Sequence, residues 1–184
     1  QSGNGNDAVQ AVNNNQPTIC SNLSIVYENG KPAVEYNGTN NYLELNSISS
    51  TTVSCFSVAL GDSTNDPLIY RGTTNTNDWE WLLELNKGAN DARLRRWDNG
   101  GSGTNTSFTY SAGNQGIFSV FIDTTEASVY TDGSLAATGN AVTIRDAGRP
   151  LFLGFYFDGS NPVYLDGKQQ EIIIYASDQS DNRT

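Results

Sequence analysis

The sequence predicts an all-β fold in which two antiparallel sheets pack face to face, and three observations carry that prediction. Only 16% of residues are charged, and the polar remainder is mostly Asn, Ser, Thr and Gly, which suits short strands joined by turns. A dozen short apolar or alternating runs follow one another, each bounded by turn-forming clusters. No long amphipathic helix, coiled coil or internal repeat interrupts them. With 184 residues and 36% hydrophobic content, the chain suffices for one domain, 1–184, with a core between two sheets.

The opening stretch, 1–16, is rich in Asn, Gly and Gln and too polar for a core strand, so it reads as an extended loop closing an edge. Strands are expected at 18–20, 33–36, 42–45, 53–60 and 68–71, then at 79–85, 92–97, 116–123, 126–131, 134–137, 151–157 and 170–175. Segment 99–107, rich in Gly and Ser, reads as a mobile surface loop. Thr131-Asp-Gly-Ser134 is the clearest hairpin, because Asp-Gly accepts the positive φ of a type I′ turn. Its register sets Thr131 opposite Ser134 and Tyr130 opposite Leu135.

Trp79-Glu-Trp-Leu-Leu-Glu-Leu85 alternates strictly, which assigns Trp79, Trp81, Leu83 and Leu85 to the core and Glu80, Leu82 and Glu84 to the other face. Segment 86–91 turns the chain. If Leu85 pairs with Ala92, then Glu84 lies opposite Arg93, Leu82 opposite Arg95 and Glu80 opposite Trp97, with Leu83 and Leu94 meeting on the buried side. Opposite charges across such a pair contribute roughly 0.2–1 kcal/mol each, so charge and burial favour one register. The outward face then carries Glu80, Glu84, Arg93, Arg95 and Trp97. An aromatic ring flanked by charged groups can hold a sugar, by stacking on its C–H face and bonding its hydroxyls. The same residues can equally be an ion-paired, solvated sheet face with Trp97 covering the arginine stems.

Composition removes several function classes. A formal net charge of −10 opposes binding to nucleic acid or to an anionic membrane surface. No run approaches the roughly 20 apolar residues of a membrane span, so membrane insertion is not expected. Histidine is absent and only two cysteines are present, which excludes most nucleophilic triads and ordinary zinc sites. Any metal must be held by oxygen. Cys20 and Cys55 can close a loop of about 35 residues, worth roughly 4 kcal/mol in the chain-entropy reading, or can stand as two buried thiols. Methionine is absent throughout, and the sequence reads as an excised or processed piece of a longer chain.

Several segments carry a family resemblance: Gln1-Ser-Gly-Asn-Gly-Asn-Asp7, Phe157-Asp-Gly-Ser-Asn161 and Tyr164-Leu-Asp-Gly-Lys-Gln-Gln-Glu-Ile-Ile-Ile-Tyr175 at the ends, with 29–45 and 129–139 between them. Together they resemble the concanavalin-A-like, laminin-G-like jelly rolls common in bacterial and phage surface proteins. The resemblance implies a two-sheet antiparallel jelly-roll sandwich with the opening loop set against the last strand. It also implies Ca²⁺ as a structural ion, for which Asn4, Asn6, Asp7 and Glu171 are the candidates, with Asp158, Asn161 and Asp166 as a second oxygen-rich group. Asn-Gly loops of this kind also form simply as tight turns.

The fold hosts lectins, polysaccharide-cleaving enzymes and structural modules. The β-glucanases that the chain resembles carry Glu-x-Asp-x-Glu, but here the middle position is Leu82, and Arg93 and Arg95 would keep nearby carboxylates ionised when a general acid must be protonated. The expectation is therefore a non-catalytic carbohydrate-binding or adhesion module for a cell-surface glycan or polysaccharide. Its setting would be a phage tail or capsid appendage or a bacterial surface protein, displayed outside the cell as a homo-oligomer or on a particle. A structural spacer and a polysaccharide-cleaving enzyme are the alternatives.

Overall fold

The computed structural model of the protein describes residues 7–76, 78–88, 91–98, 100–140 and 142–182. The strands that build its body are β1 (Val34–Asn37), β2 (Leu43–Leu45), β3 (Val53–Gly61), β4 (Asp66–Gly72), β5 (Trp79–Gly88) and β6 (Asp91–Trp97). Then come β7 (Gly103–Thr109), β8 (Gly116–Ile122), β9 (Ala127–Thr131), β10 (Ser134–Gly139), β11 (Leu151–Leu153) and β12 (Asp166–Tyr175). They form two six-stranded antiparallel sheets, ordered β7-β6-β5-β4-β11-β2 and β10-β9-β8-β3-β12-β1. The chain passes repeatedly from one sheet to the other, as a jelly roll requires.

Alternation explains the core. Trp81, Leu83 and Leu85 of β5, Leu94 of β6, Phe108 of β7 and Leu151 of β11 face Val53 and Cys55 of β3, Phe118, Val120 and Ile122 of β8, and Val129 of β9. Between the inward Phe118 and its neighbours, Ile117 points to solvent, half exposed, as period two demands. The hairpin at Thr131-Asp-Gly-Ser134 has the expected register, with φ of 51° at Asp132 and 80° at Gly133.

Four expectations are corrected. Segment 99–107 is not simply a loop: its second half belongs to β7, paired along its length with β6. Its Gly, Ser and Thr content hid a strand whose only deeply buried side chains are Thr106 and Phe108. The run 151–157 breaks at Gly154, φ 74°, where the chain leaves the sheet as β11 ends and re-forms as a separate ribbon, Phe155–Phe157 with Pro162–Tyr164. Cys20 and Cys55 are both free, and only Cys55 is buried, because Cys20 lies in an exposed hairpin, Cys20–Ser21 with Ser24–Ile25. Trp79 lies on the outer face. Trp81 pairs with Arg71 but Trp79 already pairs with Gly72, so one residue of β5 is extruded there and the alternation inverts.

Gly154 tests the break. A Cβ there would sit 2.4 Å from the Tyr36 ring, in a backbone conformation that L side chains rarely adopt. Gly154→Ala should destabilise the protein by about 1–3 kcal/mol, read from the midpoint of urea unfolding.

Candidate functional site

The expected β5–β6 register is present in its middle, but a register shift between Asp91 and Arg93 interrupts it before the expected Leu85–Ala92 pair, and the expectation that 86–91 turns the chain is corrected: β5 runs on to Gly88, which pairs with Asp91. Arg93 pairs with Glu84, Leu94 with Leu83 and Arg95 with Leu82, and Arg93 Nε lies 2.6 Å from Glu84 Oε2. The outer face is nevertheless closed to solvent: Glu80 and Glu84 are 0% exposed and Trp97 5%. The expectation of an outward-looking ionic face is corrected by the chain downstream of β10, which returns across it. The ribbon at 155–157 and 162–164 lays Phe155, Tyr156 and Tyr164 against Tyr70, Leu82, Trp97 and Phe152, making a second apolar cluster on the far side of the sheet. Arg95 places its guanidinium 4.6 Å from the Trp97 ring and 5.6 Å from that of Trp79. The Trp79 indole N–H donates to the Phe157 carbonyl at 2.7 Å. Burial pulls the Arg95 pKa down, with the Arg93 charge adding to it, and burial with the Glu84 charge pushes Tyr156 up to about 12.

Residues 142–150 form a strap beside this ribbon, fixed by charge. Arg71 Nε is 2.5 Å from Glu80 Oε2, and Arg71 also pairs with Asp146 of the strap. The Ala147 N–H donates to Glu80 Oε1 at 2.6 Å and the Arg145 N–H to the Trp97 carbonyl at 2.7 Å. Asp78 binds both Arg145 and Arg149. These acids therefore hold a strap in place, and neither Glu80 nor Glu84 is accessible to a glycosidic bond. Burial raises the Glu80 pKa, opposed by the Ala147 N–H and Arg71. Burial acts on Asp146 too, but hydrogen bonds from Ser49 and Arg71, the Arg71 charge and the Gly148 N–H outweigh it and hold its carboxyl below the usual range.

An open polar cleft of about 630 Å³ lies at one end of the molecule, where three loops meet. The Asn37 side chain builds the first, its Oδ1 accepting the N–H groups of Thr39, Asn40 and Asn41 at 3.0–3.2 Å. Buried Asp66 fixes the second: Oδ2 accepts the Ser63 N–H at 2.9 Å and Oδ1 the Asp166 N–H at 3.1 Å. Asp158 closes the third through the N–H groups of Ser160 and Asn161, both at 2.7 Å. One wall is the Tyr164 ring, backed by Phe155 at 5.5 Å and Tyr42 at 6.4 Å between centroids. Around it stand the half-buried Asp166 and the exposed Thr39, Ser63, Thr64 and Asn161. Sequence reasoning picked out Asn161 and Asp166 only as oxygen ligands; the hydroxyl residues gave no signal, because spacing in sequence does not reveal that three loops converge.

Another aromatic row, Tyr175, Phe56, Phe121 and Tyr130, crosses the outside of the second sheet with centroids 5.5–6.3 Å apart. Consecutive rings stand at 81–84° to each other, so the row is not one continuous flat surface. Of the expected calcium ligands, Asn4 and Asn6 lie outside the described residues, Asp7 is half-buried, and Glu171 is exposed on β12 opposite Val58. The opening segment does meet the last strand: Ala8 shares an apolar groove of about 590 Å³ with Ile172 and Ile174. Among the described residues no group of three or more Cys, Asp or Glu side chains is gathered to hold a metal.

No family model matches the sequence, and no curated protein matches it. Solved structures do match. The binding domain of botulinum neurotoxin serotype G superposes with a TM-score of 0.63 at 12% identity, over 90% of this chain and 44% of that one. The heptameric SAP-like pentraxin of Limulus polyphemus gives 0.60 at 16%, over 79% and 76%. The chain has the concanavalin-A-like jelly-roll fold. Trypanosoma rangeli sialidase, in complex with a difluoro-KDN, gives 0.58 at 15%, and there the jelly roll spans only 26% of the matched chain while covering 83% of this one.

The strap predicts a pH dependence for this jelly roll. A carboxyl held below its ordinary pKa contributes stability that is present above the unfolded-state value and is lost as pH falls through the folded one. Glu80, raised by burial, acts in the opposite sense. Asp146→Asn should therefore lower the melting temperature at neutral pH and flatten the loss of stability below about pH 4, measured by thermal denaturation across a pH series.

Proposed function

We propose that the protein is a non-catalytic carbohydrate-recognition module, and that its ligand enters the rim cleft at Tyr164 and Asp166. The observation supporting this is the chemistry of the cleft: one partly buried aromatic ring, a carboxylate, an amide and several hydroxyls converge on a space open to solvent. That combination suits a pyranose, whose C–H face stacks on an aromatic ring while its hydroxyls donate to a carboxylate and exchange hydrogen bonds with amides and alcohols. Among the described residues no Lys or Arg lines the cleft, and Asp62, Asp66, Asp158 and Asp166 lie in or beside its loops, so the field there disfavours anionic sugars. The ligand class is a neutral glycan. The patch of Glu80, Glu84, Arg93, Arg95 and Trp97 then serves to fix the strap and ribbon that shape the molecule. Weak single-site affinity suits a module displayed in several copies on a virion or cell surface, where multivalency supplies avidity.

On a glycan array, the protein should retain neutral polysaccharides and ignore sialylated or sulfated ones. Asp166→Asn should reduce binding at least tenfold with an unchanged melting temperature; Tyr164→Ala should reduce binding as much and also lower the melting temperature, because its ring packs on Phe155 and Tyr42. Trp97→Ala should lower the melting temperature instead, through loss of packing. Binding that survives both cleft substitutions defeats the reading.

Calcium remains part of this proposal as a structural ion held by Asn4, Asn6, Asp7 and Glu171. If it is held there, chelator lowers the melting temperature, excess Ca²⁺ restores it, and Asp7→Asn abolishes the difference.

A further inference from the structure

Residues 8–27 contain no Asp, Glu, Lys or Arg, in a chain whose formal net charge is −10. The same twenty residues hold six of the ten large apolar side chains exposed among the described residues: Val9, Val12, Ile19, Leu23, Ile25 and Tyr27. Scattered exposed apolar residues are ordinary on any protein, but a cluster on one uncharged segment marks a contact surface. At its tip is the hairpin Cys20–Ser21 with Ser24–Ile25, and every residue from 19 to 25 is exposed. A two-stranded hairpin is marginally stable by itself in water. This one contributes no side chain to either apolar cluster.

Leu23 sharpens the point. It has a φ of 65°, beside Asn22 at 51°, in a turn position that favours Gly or Asn, and its side chain is 101% exposed. A leucine there has both a backbone and a hydration cost, and among the described residues it joins neither apolar cluster. The arm is meanwhile tied to the body at its base, by bonds between Thr18 and Glu35 and by Asn40 Nδ2 donating to the Asn14 carbonyl at 2.8 Å. It is thus held out from the body rather than folded onto it.

We propose that this arm docks on the same arm of a second copy of the chain. Charge selects that partner. Two molecules of charge −10 repel wherever their acidic surfaces meet; the base of the arm lies against Glu44 and Glu35, and its uncharged, exposed tip, 19–25, is where two copies can approach with fewest opposing like charges. A partner recognised by opposite charge would find no group to pair with along these twenty residues. Pairing about a two-fold axis needs one self-complementary patch, and two exposed apolar hairpins with free edges supply it. The contact would also display two rim clefts on one particle.

Sedimentation velocity over a concentration series, in reducing buffer, tests this. A dimer is expected that strengthens or stays constant as salt rises, since salt screens the mutual repulsion. Leu23→Asp combined with Ile25→Asp should yield a monomer with unchanged circular dichroism and melting temperature, because both side chains lie outside the core. Cys20 should alkylate more slowly as the dimer forms, while buried Cys55 stays protected throughout. A monomer at every concentration, a dimer indifferent to the double substitution, or a dimer with unchanged Cys20 reactivity would overturn the proposal. None of these outcomes bears on the rim cleft, whose test is glycan binding.

Discussion

The pairing of Arg71 with Glu80 and Asp146 is the constraint on which the functional shape of this molecule depends. Two charges removed from water cost several kcal/mol each, and only close pairing with further hydrogen bonds recovers that cost. Here the recovery needs the strap, because Asp146 and the Ala147 N–H both belong to it. Remove the strap and Glu80 and Arg71 face solvent, where a simple sandwich would leave them. With the strap in place, the first sheet is covered on both sides, by the second sheet on one and by the strap and aromatic ribbon on the other. A face that could have been a groove becomes a second core.

That closure explains which parts of the protein were legible in its sequence. Period-two alternation is a local property, so the inward set Trp81, Leu83 and Leu85 and the pairing of Glu84 with Arg93 could be read directly. The Asp-Gly turn was legible for the same reason, since its signal lies in adjacent residues. Alternation says which residues share a face; it does not say what lies on top of it. Glu80, Glu84 and Trp97 were correctly placed on one face, but what covers that face, the strap at 142–150 over Glu80 and the ribbon carrying Phe155 and Tyr156 over Trp97, lies about 50 to 75 residues further along the chain. Trp79 failed differently: one extruded residue inverts the period, and nothing in the composition of β5 marks where that happens.

The rim cleft was the least legible feature, for a related reason. Each of its loops is organised by an Asn or Asp side chain that binds backbone N–H groups, and such residues occur throughout an Asn-rich chain. Those bonds also clarify the oxygen-rich clusters. Asp158, which looks like a cation ligand in the sequence, already spends a carboxylate oxygen on loop amides and so fastens a turn, as buried Asp66 does nearby. What they fasten is a solvent-open wall of hydroxyls beside Tyr164. In the proposed reading, recognition belongs to the loops at its end, with the sheets acting as a rigid support.

The distribution of charge ties these features together. The few basic side chains are largely consumed internally: Arg71, Arg93, Arg145 and Arg149 pair with acids, Lys168 pairs with Glu28, and Arg96 is buried against the Asn140 carbonyl and Thr106. The surplus of acids is left to dominate the surface and gives the molecule a repulsive field toward anionic partners and toward its own copies. Two regions stand apart from that field. In the cleft, carboxylates lie beside neutral hydroxyls, so an uncharged, hydroxyl-rich ligand is the one not turned away. Along the arm, residues 8–27, the sequence carries no charge, so the dimer proposed there would depend on apolar contact. One physical basis thus underlies both proposals: an acidic surface disfavours anionic ligands at the cleft and like-charged contact everywhere except where charge is absent.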